Sequence, residues 1–288
     1  MIVVASLLGL IFGSFVNAMV WRLHAQSDYR LQITDYRRKS RDEEFHNLKS
    51  KINNLSILRG RSQCPHCHHR LSVVDLFPVI SWIILRGRCR YCHKSISIQY
   101  PAVELLTALV FTLLTWHFRD ALGSAQGILS LITWLASSVV LIALAVYDLR
   151  WLLLPNVLIY PLLGVGVLYT VLTGIVQGSF YPISEALVGL VVLGGLFWAI
   201  FELSKGTWLG GGDVKLAAFL GLMLGWQKGL LTIVLASWLG LAAYIVLVLA
   251  RKPRRLLPFG PFLIVAAYLC LVAGRQAIDW YLRLSGLL

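Results

Sequence analysis

Charge is what this sequence has little of. Asp, Glu, Lys and Arg make up 14% of its 288 residues, where soluble domains carry about 25%. Acidic residues are the scarcer kind, 13 against 26 Lys and Arg. Apolar residues fill the gap: 58% are hydrophobic, and the mean hydropathy is +0.75. A single water-soluble globule is excluded, because one core cannot hide so much apolar surface. The bilayer is the expected solvent. The net charge of +13 would suggest nucleic acid if it formed a face. Here the basic residues gather in one loop and in short segments between apolar runs, which is a pattern of membrane orientation. No nucleic-acid partner is expected. Met1 to Val20 lacks a basic start and an A-x-A-like cleavage site, so it reads as a first span with its N-terminus outside, not as a signal peptide. Nor is an internal repeat or a low-complexity tract visible.

A spanning helix needs about 20 mostly apolar residues. Eight segments approach this: Ile2 to Val20, Tyr100 to Phe118, Ile128 to Tyr147, Val157 to Val176, Ile183 to Leu203, Val214 to Trp226, Leu230 to Leu249 and Phe259 to Tyr281. The sixth is short. The sequence therefore predicts an all-α polytopic membrane protein of about eight transmembrane helices. With the N-terminus outside, every Lys and Arg except Arg119, Lys228, Arg275 and Arg283 falls on the inner side, in accord with the positive-inside rule. Three parts follow: residues 1–23 as the first span, 24–99 as a cytosolic loop, and 100–288 as a multi-helix membrane domain. Residues 26–51 are polar and mixed in charge, an exposed amphipathic helix or a linker. Gly9-x-x-x-Gly13 and Gly221-x-x-x-Gly225 are predicted helix-packing positions.

Four of the five cysteines form two pairs, Cys64-Pro-His-Cys67 and Cys89-Arg-Tyr-Cys92, with 21 residues between them. Each pair makes a tight turn that aims two thiolates at one point, and two such turns complete a tetrahedron suited to Zn²⁺. Disulfides are the rival reading, disfavoured by a reducing cytosol. A redox pair would need a βαβ setting, and none is visible. Four thiolates leave no open position, so the zinc would fold the loop without doing chemistry. His66, His68, His69 and His93 are expected to be exposed bystanders, and Cys270 a buried small hydrophobe.

Few acids lie in or beside spans: Glu104, Asp148, Glu185, Glu202 and Asp213. Ionisable groups there are costly and are functional candidates. Glu104 is expected to pair with a basic residue of the loop, and Glu202 with Lys205 or solvent. Asp148 ends the third span, and Pro155 opens the fourth, followed by Asn156. Asp213 follows Gly210-Gly211-Gly212 and precedes Lys215. Those glycines allow backbone angles that other residues resist and let main chain approach a substrate. Topology puts both aspartates at the cytosolic border. Two such carboxylates suit peptide hydrolysis: one, ionised, takes a proton from water, and the other, protonated, polarises the carbonyl. Alternatively Asp148 pairs with Arg150 and Asp213 with Lys215, or each caps a helix.

Gly210-Gly211-Gly212-Asp213 fits the Gly-x-Gly-Asp signature of membrane aspartic peptidases. Around it the chain resembles a bacterial type IV prepilin peptidase. The likeness includes Gly13-Ser14-Phe15-Val16-Asn17, both Cys pairs, Asp75-Leu76-Phe77-Pro78-Val79-Ile80-Ser81-Trp82, Arg86-Gly87-Arg88-Cys89, Tyr100-Pro101-Ala102-Val103-Glu104, Asp148 with Pro155-Asn156, and Pro258-Phe259-Gly260-Pro261-Phe262. The resemblance implies that Asp148 and Asp213 are the catalytic pair, supported by Gly210, Gly212, Lys215 and Pro155. It implies an inner-membrane enzyme that cuts prepilin or pseudopilin leaders at the cytosolic border, typically between Gly and Phe. It also implies N-methylation of the new terminus with S-adenosylmethionine, for which no glycine fingerprint is visible, and a link to pilus or type II secretion machinery. Two other classes fit less of the sequence. A transporter would use the aspartates as a cation or proton relay, but few acids lie at mid-membrane. A non-enzymatic assembly partner would dock through the zinc loop.

Overall fold

The fold comes from a computed structural model that describes residues 1–38, 62–64, 66–67, 69–251 and 257–286. Most of residues 26–62, together with His68 and the basic run at 252–255, lies outside them. Among the described residues the protein is all-helical, with two isolated β-bridges and no strand. Its helices are α1 (Ile2–Arg38), α2 (Ile80–Ile84), α3 (Gln99–Phe118), α4 (Ala125–Trp151), α5 (Asn156–Gln177), α6 (Tyr181–Leu203), α7 (Gly211–Leu249) and α8 (Gly260–Leu284). Seven of these, all but α2, are long and apolar enough to cross a membrane. The protein is a multi-pass membrane protein.

The count of seven, where eight spans were expected, has a local cause. The predicted sixth and seventh spans both lie in α7, which is broken at Gly225 (φ 73°, ψ 179°), a left-handed conformation that favours glycine. Contacts with α6 show that the chain reverses there. A Cβ on Gly194 would touch Ala218 at 3.1 Å, before the break, and a Cβ on Gly229 would touch Leu193 at 2.5 Å, after it. The two halves of α7 therefore run in opposite directions along the same stretch of α6. Gly189 and Gly221 meet backbone to backbone, each leaving no room for a Cβ against the other's carbonyl oxygen. This is the close approach expected of the Gly221/Gly225 pair. Beside it α6 carries a π-helical turn, Leu190–Gly194.

The chain forms two compact units, Met1–Thr115 and Trp116–Leu288. In the first, α1 and α3 pack antiparallel. Ser6 meets Thr112 (2.7 Å), a Cβ on Gly9 or Gly13 would sit 2.5 Å from the Cα of Ala108 or Glu104, and Asn17 donates to the Tyr100 carbonyl (3.0 Å). The second span thus packs on the first, and their compact unit runs to Thr115, near the end of α3. Among the described residues no basic side chain of the loop pairs with Glu104. Its buried carboxylate accepts the N–H of Val79 at 2.8 Å, at a residue held at φ 61°. In the second unit, α4 runs antiparallel to α8, with Tyr268 donating to Ser138 at 2.7 Å, and to α5, with Ser130 and Tyr169 paired at 3.0 Å.

Candidate active site

Asp148 and Asp213 are brought together in the second unit. Asp148 lies in the last turn of α4, which is closed by Leu152 in the left-handed conformation, its N–H on the Asp148 carbonyl (2.9 Å). That closure turns the chain back over the aspartate. Asp213 lies in the first turn of α7. Asp148 is only 6% exposed, and the two carboxylates are close enough to act on each other electrostatically. A backbone N–H faces each: that of Gly260, the first residue of α8, lies near the Asp148 carboxylate, and that of Gly210 lies near Asp213. Both carboxylates therefore sit at the positive ends of helices, where a negative charge is stabilised. The remaining oxygen of Asp213, Oδ1, is buried and accepts no hydrogen bond from the described residues.

The glycines act here through space. Gly210 has ordinary extended angles (φ −75°, ψ 144°), and Gly211 and Gly212 begin the helix, so unusual backbone angles are not their role. A Cβ on Gly212 would lie 2.7 Å from the Cβ of Leu154, and one on Gly210 would lie 3.3 Å from Asp213 Oδ2. Gly260 makes the same demand from the other side, because its Cβ would meet Asp148 Oδ2 at 2.7 Å and Leu154 at 3.6 Å. Leu154 thus touches the glycine next to each aspartate, linking the α4–α5 turn to the starts of α7 and α8. Neither Gly260 nor Leu154 is marked out by composition. Gly260 could have been suspected as a glycine between two prolines of the Pro258–Phe262 segment.

The local ion pairs considered for the aspartates do not form. Lys215 donates to Asn156 Oδ1 at 2.7 Å and lies over the Tyr160 ring (4.9 Å), and Arg150 lies over Trp151 (5.7 Å). Pro155 is the N-cap of α5 and sets Asn156 at its first position. The Pro155-Asn156 turn and Lys215 therefore tie the start of α5 to the start of α7, beside Asp213. Of the other acids, Glu185 accepts from Tyr181 (3.2 Å), and Glu202 is exposed.

In the first unit, the Sγ atoms of Cys64, Cys67, Cys89 and Cys92 all lie within 4.8 Å of one another, and no disulfide forms. Cys64 and Cys92 are 3.8 Å apart. Tetrahedral ligands at 2.3 Å from zinc would be separated by about 3.8 Å. The two hairpins are built alike. Cys64 N–H donates to the His69 carbonyl and Leu71 to Ser62, while Cys89 donates to Lys94 and Ile96 to Gly87. Each hairpin also has one β-bridge, Gln63 to Arg70 and Arg88 to Ser95. This is one unit used twice, 25 residues apart, a repeat too short and too varied to show in the sequence. Burial pushes the Cys64 thiol up, but the N–H groups of Cys67 and His66 draw it down to about 7. His66, His69 and His93 are exposed, and Cys270 is fully buried, all as expected. Asp75 fastens the second hairpin to the turn before it. Its carboxylate accepts from Ser72 Oγ (2.8 Å), Arg90 Nε (2.7 Å) and Tyr91 (3.3 Å). Burial pushes Asp75 up, but its bonds from Ser72 and Arg90 prevail and hold it below the usual carboxylate range.

Comparison with known proteins divides the chain as its compact units do. The Bacterial Peptidase A24 N-terminal domain matches residues 7–118, and the Type IV leader peptidase family matches residues 135–245. The chain is 37% identical to a Prepilin leader peptidase/N-methyltransferase of Aeromonas hydrophila, covering 96% of this chain and 92% of that one. It is 35% identical to the protein of that name from Aeromonas salmonicida over the same shares. With that of Pseudomonas aeruginosa it shares 33%, over 97% and 93%. No solved structure matches the chain.

Proposed function

The chain belongs to the type IV leader peptidase family, and on that premise we propose that it is the aspartic endopeptidase that removes prepilin or pseudopilin leaders, with Asp148 and Asp213 as its catalytic pair. The observation that carries the reading is their common setting, two mutually sensing carboxylates at the starts of two helices. Two carboxyls so placed resist joint ionisation. The ionised one abstracts a proton from water as it attacks the scissile carbonyl, and the protonated one donates to the carbonyl oxygen. The proton then passes to the leaving amine. The pair shares one proton, so one carboxyl serves as base while the other serves as acid.

The substrate's apolar helix lies in lipid beside the spans, and its basic leader stays on the cytosolic side. The scissile bond then meets the pair at the cytosolic border of the inner membrane, with the N-terminus of the enzyme outside. The distribution of Lys and Arg supports this orientation. The relatives' names carry a second activity, N-methylation of the new terminus, and with it S-adenosylmethionine. Among the described residues no strand leads into a glycine turn and helix of the dinucleotide-binding kind, so no residue is assigned to that cofactor. Cys64, Cys67, Cys89 and Cys92 suit a closed structural Zn²⁺, which would hold the two hairpins together.

The test is cleavage of a co-purified prepilin in detergent, read by mass spectrometry of the product's N-terminus, which reports cut site and methylation together. Asp148→Ala and Asp213→Ala should each lower cleavage by roughly 10³-fold or more with the thermal unfolding transition kept. Full activity in either folded variant rejects the pair.

A further inference from the structure

A cavity of about 230 Å³ opens in the second unit, lined among others by Gln126, Tyr169, Thr173, Glu185 and the residues Leu222 to Gly225. It is not the aspartate site. Along α4, Gln126 precedes Asp148 by 22 residues, about 33 Å at 1.5 Å per residue. Along α7, Gly225 follows Asp213 by 12 residues, about 18 Å. The cavity therefore reaches from the end of α4 remote from the aspartates to the depth at which α7 breaks.

Its wall is rich in acceptors. Glu185 Oε1 accepts from Tyr181, and Oε2 lies 3.3 Å from where a Cβ on Gly225 would sit, so the carboxylate rests against the break. Leu222, Met223 and Leu224 form the last turn before the break. The second half of α7 starts directly beyond Gly225, so the negative end of the first half meets the positive end of the second and the formal charge at the cavity is that of Glu185. Gln126 spends both amide hydrogens, on Ser130 and Thr173 at 3.3 Å each, and its Oε1 is a buried acceptor without a partner. No Lys or Arg is among the described residues that line the cavity.

We propose that this cavity binds one small monovalent cation, an alkali ion or a primary ammonium group, at the broken end of α7. One carboxylate, with the neutral Gln126 Oε1 beside it, matches a single positive charge, whereas a divalent ion would call for more carboxylates. The bound ion fastens Glu185 of α6 to the reversal in α7, beside the Gly189–Gly221 crossing.

The experiment uses the full chain purified in detergent without ethanolamine lipid. Its unfolding midpoint is compared in KCl, NaCl and N-methylglucamine chloride at equal ionic strength, the last cation being too bulky for the site. The expected result is a saturable rise of about 3 °C in K⁺ or Na⁺. The rise should vanish in Glu185→Gln, and in Gln126→Leu it should need roughly tenfold more salt. Phosphatidylethanolamine titrated into the N-methylglucamine sample separates the sources. A rise with lipid alone assigns a headgroup ammonium, and a rise with alkali alone assigns a free ion. Equal midpoints under all these conditions overturn the proposal, as does a rise undiminished in both variants. If Glu185→Gln does not fold, the dose response of Gln126→Leu decides.

Discussion

Adding one methyl group at Gly260 tests whether the position of Asp148 matters for cleavage. The Cβ of Gly260→Ala would arrive 2.7 Å from Asp148 Oδ2, where ordinary contact begins near 3.4 Å. Carboxylate and helix start must part by the difference, about 0.7 Å, which also moves the Gly260 N–H away from the carboxylate. Misplacing a reacting group by about 1 Å costs about 10²-fold, so kcat should fall roughly ten- to hundredfold. KM should change little, because the contact matters at the reacting centre and not for holding the substrate's apolar helix. The fold should survive, since alanine is a better helix former than glycine by about 1 kcal/mol. Gly164→Ala is the control: it adds the same methyl inside α5, where nothing lies within 4 Å. The assay is prepilin cleavage in detergent by gel shift, with thermal unfolding alongside. Wild-type kcat in Gly260→Ala, or an equal loss in Gly164→Ala, refutes the steric reasoning.

Two further predictions concern the first unit. Replacing Cys64 and Cys89 together with Ser should reduce bound zinc from about one per chain to none, and should expose residues 62–98 to protease; wild type that stays protected and metal-free contradicts the site. Asp75→Asn should loosen the second hairpin by about 1–2 kcal/mol at neutral pH, seen as faster amide exchange over residues 87–96. Because the folded carboxyl of Asp75 is held below its unfolded value, its contribution is complete above about pH 4 and is lost as pH falls through the folded value. The gap between wild type and variant should therefore stay constant from pH 8 to 5; a gap that closes by pH 6 assigns the stabilisation to some other group.

Much of this was legible in the sequence, and the gaps have physical causes. Hydropathy found the seven long apolar helices of the described residues, because a bilayer imposes its thickness on apolar runs. It did not show that the sixth and seventh form one element reversed at Gly225, since a single backbone angle leaves no trace in composition. The Cys pairs were legible because metal coordination fixes spacing, yet the repetition of the whole hairpin was not, since backbone bonds such as Cys64 to His69 and Cys89 to Lys94 place no demand on side-chain type. Asp148 and Asp213 stood out as rare acids at span ends. The roles of Gly260 and Leu154 depend on contacts across more than a hundred residues of chain, and only the fold supplies them. Glu104 was read as a charge seeking a charge, but it holds the N–H of Val79 instead.

The reversal in α7 also decides what surrounds its first half. Residues 211 to 224 are about 21 Å long, some 9 Å short of a typical hydrocarbon core, and none of them is exposed. Neighbouring helices and not lipid enclose this segment, so the bilayer meets no short helix there. A change of membrane thickness therefore reaches Asp213 only through the longer helices packed around it.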